Sequence, residues 1–158
     1  MTQEQLKKAY EKALNDAVKQ LSYRDLSKAN LIEKLIAKGH SESAAEYAAA
    51  YLEERKFLND TRYAQMLLKS YARKGYGTRR IKQELKKRGI SNDDADEAYN
   101  EYETDYSILH SLLDKKLKGD VSEKKEIQKA IAFLQRRGFS WSEIKKALDE
   151  YINEHSEY

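Results

Sequence analysis

Leu85-Lys86-Lys87-Arg88-Gly89-Ile90-Ser91 decides the fold, because the chain says it three times. Leu35-Ile36-Ala37-Lys38-Gly39-His40-Ser41 lies 50 residues upstream, and Leu134-Gln135-Arg136-Arg137-Gly138-Phe139-Ser140 lies 49 downstream. Each copy keeps a leucine four residues before its glycine, a basic residue directly before it and a serine two after. An alanine follows nine residues after each glycine, at Ala48, Ala98 and Ala147. Columns kept in phase over such distances mark one supersecondary unit used three times, each copy burying its apolar face against its neighbours. The motif itself reads as a helix end. Leucine points inward, glycine takes the left-handed position past the C-terminus, and serine caps the helix that follows.

Working outward, apolar residues at helical spacing fill each unit. Residues 3–21 place Leu6, Ala9, Tyr10, Ala13, Leu14, Ala17, Val18 and Leu21 on one stripe. A second helix follows Ser27, with Leu31, Leu35 and Ile36 inward, and a third carries Ala45, Ala48, Ala49 and Leu52. In the second unit Asn59-Asp60 starts a helix with Tyr63, Ala64, Leu67, Leu68 and Tyr71 inward. Thr78 is expected to cap the next, with Ile81 and Leu85 inward. Ser91 with Asp94 opens a third, carrying Ala95, Ala98, Tyr99 and Tyr102. The third unit has Leu109, Leu112, Leu113 and Leu117, then Ile127, Ile131 and Leu134. A capping box at Ser140 and Glu143 then opens the stripe Trp141, Ile144, Ala147, Leu148 and Tyr151. No strand pattern competes. The expected fold is all-α: three tandem three-helix repeats at residues 1–57, 58–104 and 105–158, forming an elongated, curved array.

Composition agrees. The 158 residues include no proline and six glycines, and 36% are charged, as in a helical protein with much surface for its core. Cysteine is absent, which excludes a disulfide framework and thiolate chemistry and points to a reducing cytoplasm. No window approaches the ~18 apolar residues of a membrane span. A monomer is expected, since no long apolar stripe is left over once each repeat is packed.

The net charge of +3 conceals a strong segregation. Between Lys69 and Ile90 there are nine Lys and Arg against the single acid Glu84, and from Ser91 to Ser107 seven acids and no base. Such blocks create local fields that a balanced total hides.

Catalysis finds no support. His40, His110 and His155 are far apart, and only His110 has a carboxylate one turn on, Asp114, a spacing typical of surface pairs. No nucleophile elbow, phosphate-binding loop or zinc helix motif occurs, so neither an enzyme nor a cofactor or metal site is expected. Gly75-Tyr76-Gly77 before Thr78-Arg79-Arg80 has two readings. It is a tight interhelical turn, or a helix N-terminus that holds an anion on its N–H groups. Tyr76 is the tyrosine to consider as a stacking platform. At 100° per residue, Arg62, Lys69 and Arg73 fall opposite the apolar stripe of their helix. Arg79, Gln83 and Lys86 face out on the next, with Arg80 and Lys87 at the margin. Arg136, Arg137, Lys145 and Lys146 extend the theme. A solvated face would mix signs at i,i+4; the scarcity of acids favours a binding face for an acidic protein surface or a phosphate backbone.

Three stretches carry a likeness to a known family: Leu58-Asn59-Asp60-Thr61-Arg62-Tyr63-Ala64, Lys74-Gly75-Tyr76-Gly77-Thr78-Arg79-Arg80-Ile81 and Glu84-Leu85-Lys86-Lys87-Arg88-Gly89-Ile90. Together they resemble the RecX family of recombination regulators. Leu21-Ser22-Tyr23-Arg24-Asp25-Leu26-Ser27 and Leu35-Ile36-Ala37-Lys38-Gly39 look like that family's first repeat. The likeness spans about residues 15–152. Thr78 stands where members often carry proline, and either residue serves a helix start. The resemblance implies a non-enzymatic regulator of DNA recombination, repair and the SOS response. It would bind the RecA nucleoprotein filament along its groove and suppress strand exchange and co-protease activity. Partner contacts are expected at Arg62, Lys69, Arg73, Lys74, Arg79, Arg80, Lys86, Lys87, Arg88, Arg136 and Arg137. The central-motif residues Arg73, Arg79, Arg80, Lys86 and Arg88 carry the family role most directly, although Arg88 sits near the core stripe. The alternative is a direct nucleic-acid binder resembling a helix-turn-helix array, meeting single- or double-stranded DNA through its phosphates. Gln83 alone among the base-reading amides lies on the candidate recognition helix.

Overall fold

A computed structural model of the chain describes residues 1–156. Among these residues lie nine helices and no strand: α1 Gln3–Tyr23, α2 Lys28–Ala37, α3 Glu42–Glu54, α4 Asp60–Arg73, α5 Thr78–Lys87, α6 Asn92–Tyr99, α7 Tyr106–Leu117, α8 Lys124–Arg136 and α9 Trp141–His155. The expected helix-helix-turn-helix order is therefore present three times.

The repeated motif forms one backbone device in all three places. Gly39, Gly89 and Gly138 have φ of +102°, +80° and +98°. Their N–H groups donate to Ile36, Lys86 and Gln135 carbonyls at 2.9, 3.0 and 3.0 Å. The next N–H groups, of His40, Ile90 and Phe139, reach back to Leu35, Leu85 and Leu134 at 3.1, 3.1 and 3.2 Å. These paired bonds satisfy carbonyls that a helix end leaves open. The same three leucines are fully buried through their side chains. Two residues on, the hydroxyls of Ser41, Ser91 and Ser140 accept from the N–H of Ala44, Asp94 and Glu143 at 3.1, 3.1 and 3.2 Å.

The chain divides into two compact units. One comprises Met1–Met66 with Leu85–Ala98; the other comprises Leu67–Glu84 with the chain from Tyr99 onward. In the first, Ala13 and Ala17 of α1 meet Leu31 and Leu35 of α2 and the alanines 44, 45, 48 and 49 of α3. Alanine there lets the helices approach closely. In the second, Leu109, Leu113 and Leu117 of α7 pack on Ala130 and Leu134 of α8 and on Ile144, Leu148 and Tyr151 of α9. The buried Tyr151 hydroxyl is satisfied, donating to Asp114 at 2.8 Å and accepting from the Gly119 N–H at 2.7 Å.

Four residues of the expected stripes lie outside the core: Leu6, Val18, Ile36 and Trp141 are each more than two-fifths exposed. Of α1 only Ala13 and Ala17 are fully buried against α2 and α3, and Ile36 sits one position round the helix from buried Leu35. Trp141 is the first residue of α9, and helical side chains lean back toward the N-terminus, here past the core.

A further regularity is invisible in one repeat alone. In the first unit the Gly89 turn sits on the start of α2: the Ser27 hydroxyl donates to the Arg88 carbonyl at 2.5 Å while accepting from the Asn30 N–H at 3.1 Å. In the second unit the Gly138 turn sits on the start of α5: Gly77 N–H donates to the Arg137 carbonyl at 2.8 Å and Arg79 N–H to the Gly138 carbonyl at 3.2 Å. The Gly89 and Gly138 turns thus each dock on the second helix of the preceding repeat. Each compact unit consequently draws residues from more than one repeat.

Candidate interaction face

Helix α4 is anchored at its start. Asn59 Oδ1 accepts from the Arg62 N–H at 3.0 Å, as the Asn59-Asp60 signal predicts. Asp60 Oδ1 accepts from Lys28 N–H at 2.9 Å, and Thr61 donates to Asp94 at 3.0 Å. Its buried line runs through Ala64, Leu68 and Ala72, with Tyr63, Leu67 and Tyr71 half-buried beside it. Arg62, Lys69, Arg73 and Lys74 are exposed, and the Lys74 ammonium lies 5.4 Å from the Tyr71 ring centroid. On α5, Ile81 and Leu85 are buried, while Arg79, Gln83, Lys86 and Lys87 are exposed and Arg80 is half-buried.

The start of α5 corrects two expectations. Thr78 is the first helical residue and not the cap: the Ile81 N–H bonds the Gly77 carbonyl at 3.0 Å, so Gly77 holds the cap position. The anion reading also fails at this turn, because the Gly77 and Arg79 N–H groups already donate to the carbonyls of the Gly138 turn. Space explains the glycines. A Cβ on Gly77 would lie 2.5 Å from the Gly138 carbonyl carbon, and one on Gly138 would lie 2.5 Å from the Arg80 nitrogen. Two backbones meet here with no room for a side chain.

Around that junction the second unit gathers Tyr76, Arg79, Arg80 and Arg137. Arg79 Nη2 donates to the Gln135 carbonyl at 2.6 Å. Arg80 Nε lies 3.3 Å from Glu84 Oε1, so the one acid of the basic run does form an i,i+4 pair. The guanidinium carbons of Arg80 and Arg137 lie 5.0 and 4.7 Å from the Tyr76 ring centroid, and Tyr71 meets that ring edge-on at 6.1 Å. Tyr76 is therefore engaged by its own chain and is no open platform for a base. Beneath, burial pushes the hydroxyls of Tyr99 and Tyr102 above the ordinary tyrosine range.

Other expected contact residues are placed separately. Arg136 is exposed at the end of α8. Arg88 is exposed, but Nη1 donates to the Tyr63 hydroxyl at 3.1 Å and its carbonyl holds Ser27, which supports the structural reading of its position. Lys145 pairs with Asp149 at 2.8 Å, and Lys146 lies over the Tyr106 ring. His110 pairs with Glu154 at 2.8 Å rather than with Asp114. Neither the role of Gln135 nor the Gly77–Gly138 approach is legible from spacing; the glycines themselves are the one signal in the chain.

Three family models match in order along the chain: the first three-helix domain of RecX over residues 9–52, the second over 59–98 and the third over 103–148. The chain belongs to the RecX family. The Regulatory protein RecX of Vibrio vulnificus (strain CMCP6) is 36% identical over 136 residues, covering 85% of this chain and 89% of that protein. That of Salmonella paratyphi C (strain RKS4594) is 35% identical over 153 residues, covering 87% and 90%. The fold is similar to the crystal structure of RecX from Lactobacillus salivarius, with a TM-score of 0.81 at 24% identity, over 91% of this chain and 97% of that one. Of the expected contact residues, Arg62 through Arg88 lie in the match to the second RecX domain, and Arg136 and Arg137 in the match to the third.

Proposed function

We propose that this chain is a non-enzymatic regulator that binds the RecA nucleoprotein filament and inhibits its recombinase and co-protease activities. Its relatives carry the name Regulatory protein RecX. The observation that carries the reading is the set of exposed cations Arg62, Lys69, Arg73, Lys86 and Lys87 on two helices whose opposite sides are committed to packing, with Lys74 in the turn after the first. Cations held this way present charge to an acidic protein surface or a phosphate backbone without refolding. Arg79, Arg80, Arg88, Arg136 and Arg137 belong to the same partner-binding set, the first two doubling as struts of the second unit. Repeats at 1–57, 58–104 and 105–158 form the functional modules, and the protein acts as a monomer in the cytoplasm, where the recombinase works.

The test is ATP hydrolysis by the cognate recombinase on single-stranded DNA, with this protein titrated at sub-stoichiometric amounts. Turnover is expected to fall at concentrations where the protein does not measurably bind naked DNA. No effect on turnover, with binding to bare duplex DNA whose log–log salt slope is about −0.9 per neutralised phosphate, would establish the direct nucleic-acid reading instead.

A further inference from the structure

Helix α3 ends in the same paired-bond turn as α2, α5 and α8, with a different residue at its centre. Lys56 N–H donates to the Glu53 carbonyl at 3.0 Å and Phe57 N–H to the Leu52 carbonyl at 2.9 Å. The left-handed position, φ +63°, is held by Lys56. A residue with a Cβ is strained there, and strain of this kind gathers at functional sites. The following residue departs as well. Ile90 and Phe139 are buried at the corresponding place in two of the glycine turns, whereas Phe57 is 73% exposed. The turn therefore keeps a charged side chain in a conformation that favours glycine, and holds an aromatic ring in solvent.

Phe57 lines two depressions of the first unit, one predominantly apolar and one of mixed polar and apolar character. One is lined by Leu14, Val18, Leu21, Tyr51 and Leu52, with Arg55 at its lip. The other is lined by Leu21, Leu26, Tyr63 and Met66, with Asp25, Lys56 and Arg62 around it. Val18 and Met66 are each about half exposed. The Arg55 guanidinium is fixed at the lip, 3.4 Å from the Tyr51 ring centroid. Three cations against one carboxylate surround an apolar seam.

We infer that this groove of the first unit takes an acidic amphipathic helix from a partner protein. Apolar residues at i, i+3, i+4 and i+7 of such a helix would lie on Val18, Leu21, Phe57 and Met66. Its flanking carboxylates would meet Arg55, Lys56 and Arg62. A second copy of this chain is the poorer occupant: its acidic run buries Ala95 and Ala98 and half-buries Tyr99 and Tyr102, leaving no apolar stripe to offer. The groove shares Arg62 with the cations proposed to meet the filament, so its test is read on Phe57, which is not one of them.

The probe is a fluorescein-labelled synthetic peptide with leucine at those positions and glutamate elsewhere, titrated with the full chain and read by anisotropy. A second peptide replaces every glutamate with lysine. The acidic peptide is expected to bind saturably and more weakly at high salt, and the basic one not to bind. Phe57→Ser, at an exposed position that leaves the fold intact, is expected to weaken binding about tenfold or more. Lys56→Gly is expected to raise the melting temperature while weakening binding, and Lys125→Ser, at an exposed position on α8 of the second unit, to change nothing. Equal binding of both peptides, no saturable binding, or an unaltered affinity in Phe57→Ser would overturn the proposal. So would concentration-dependent dimerisation in sedimentation that Phe57→Ser abolishes, which would give the groove to a second copy.

Discussion

Gly39, Gly89 and Gly138 occupy one column of the repeat and three different environments. All three have positive φ, so any side chain there carries the left-handed penalty of about 1–2 kcal/mol. A Cβ on Gly39 would meet nothing within 4 Å. On Gly89 it would meet Ser27 Oγ at 2.9 Å, and on Gly138 the Arg80 backbone at 2.5 Å. Alanine at these positions is therefore expected to destabilise in the order Gly39, Gly89, Gly138, from about 1 kcal/mol to about 3 kcal/mol or more. Urea unfolding measures the series, and equal losses would show that backbone conformation alone selects the glycines. Asp60 gives a prediction of another kind. Burial first, then the neighbouring Asp94 and Glu53 charges, push its carboxyl above the ordinary value of 3.8, although the Lys28 N–H opposes this. The native state thus holds the proton more tightly than the unfolded chain, so Asp60 favours folding at low pH and loses that preference as pH rises through its raised range. Asp60→Asn keeps an acceptor for Lys28 and drops the charge. Its stability relative to the parent is expected to improve from pH 4 to pH 7, checked by unfolding at both.

Among the elements, the four-residue link from buried leucine to glycine, with the serine cap two residues beyond, is the part most legible in the chain. Every bond in it is local, made within a few residues of backbone, so spacing alone identifies it. Ser27 differs from the other caps in a way that spacing does not reveal. It is fully buried, and its hydroxyl both caps α2 and reaches the Arg88 carbonyl 61 residues away. Ser41→Ala, Ser91→Ala and Ser140→Ala are expected to cost about 1 kcal/mol each. Ser27→Ala should cost about 2–3 kcal/mol, because it also leaves the half-buried Arg88 carbonyl without its donor. Thermal melts of the four variants check the contrast. The element-level misreadings have a common source. Leu6, Val18, Ile36 and Trp141 have helical phase, but phase describes a face along a whole helix and not the length of it that a neighbour covers.

For the molecule as a whole, the charge pattern must be weighed against the packing that it partly serves. Arg79 holds the Gln135 carbonyl, and Arg80 and Arg137 lie over Tyr76, so reversing Arg79 and Arg80 disturbs the second unit as well as any partner contact. Lys69, Arg73 and Lys86 are exposed and separate the two effects. The triple variant Lys69→Glu, Arg73→Glu, Lys86→Glu is expected to lose filament inhibition by an order of magnitude or more, with unchanged circular dichroism and melting. Full inhibition by that variant would remove these helices from the interface. The sequence by itself determined the all-helical class, the three repeats, the glycine turns, the serine caps and the basic character of α4 and α5, because each follows from local spacing and composition. Tertiary packing alone sets that the Gly89 and Gly138 turns dock on the helix start of the preceding repeat, that the Gly77 N–H serves that docking and not an anion, and that Phe57 stands in solvent. Those facts rest on pairs such as Ser27 with Arg88 and Gly77 with Arg137, at 61 and 60 residues' separation, which no periodicity in a single chain encodes.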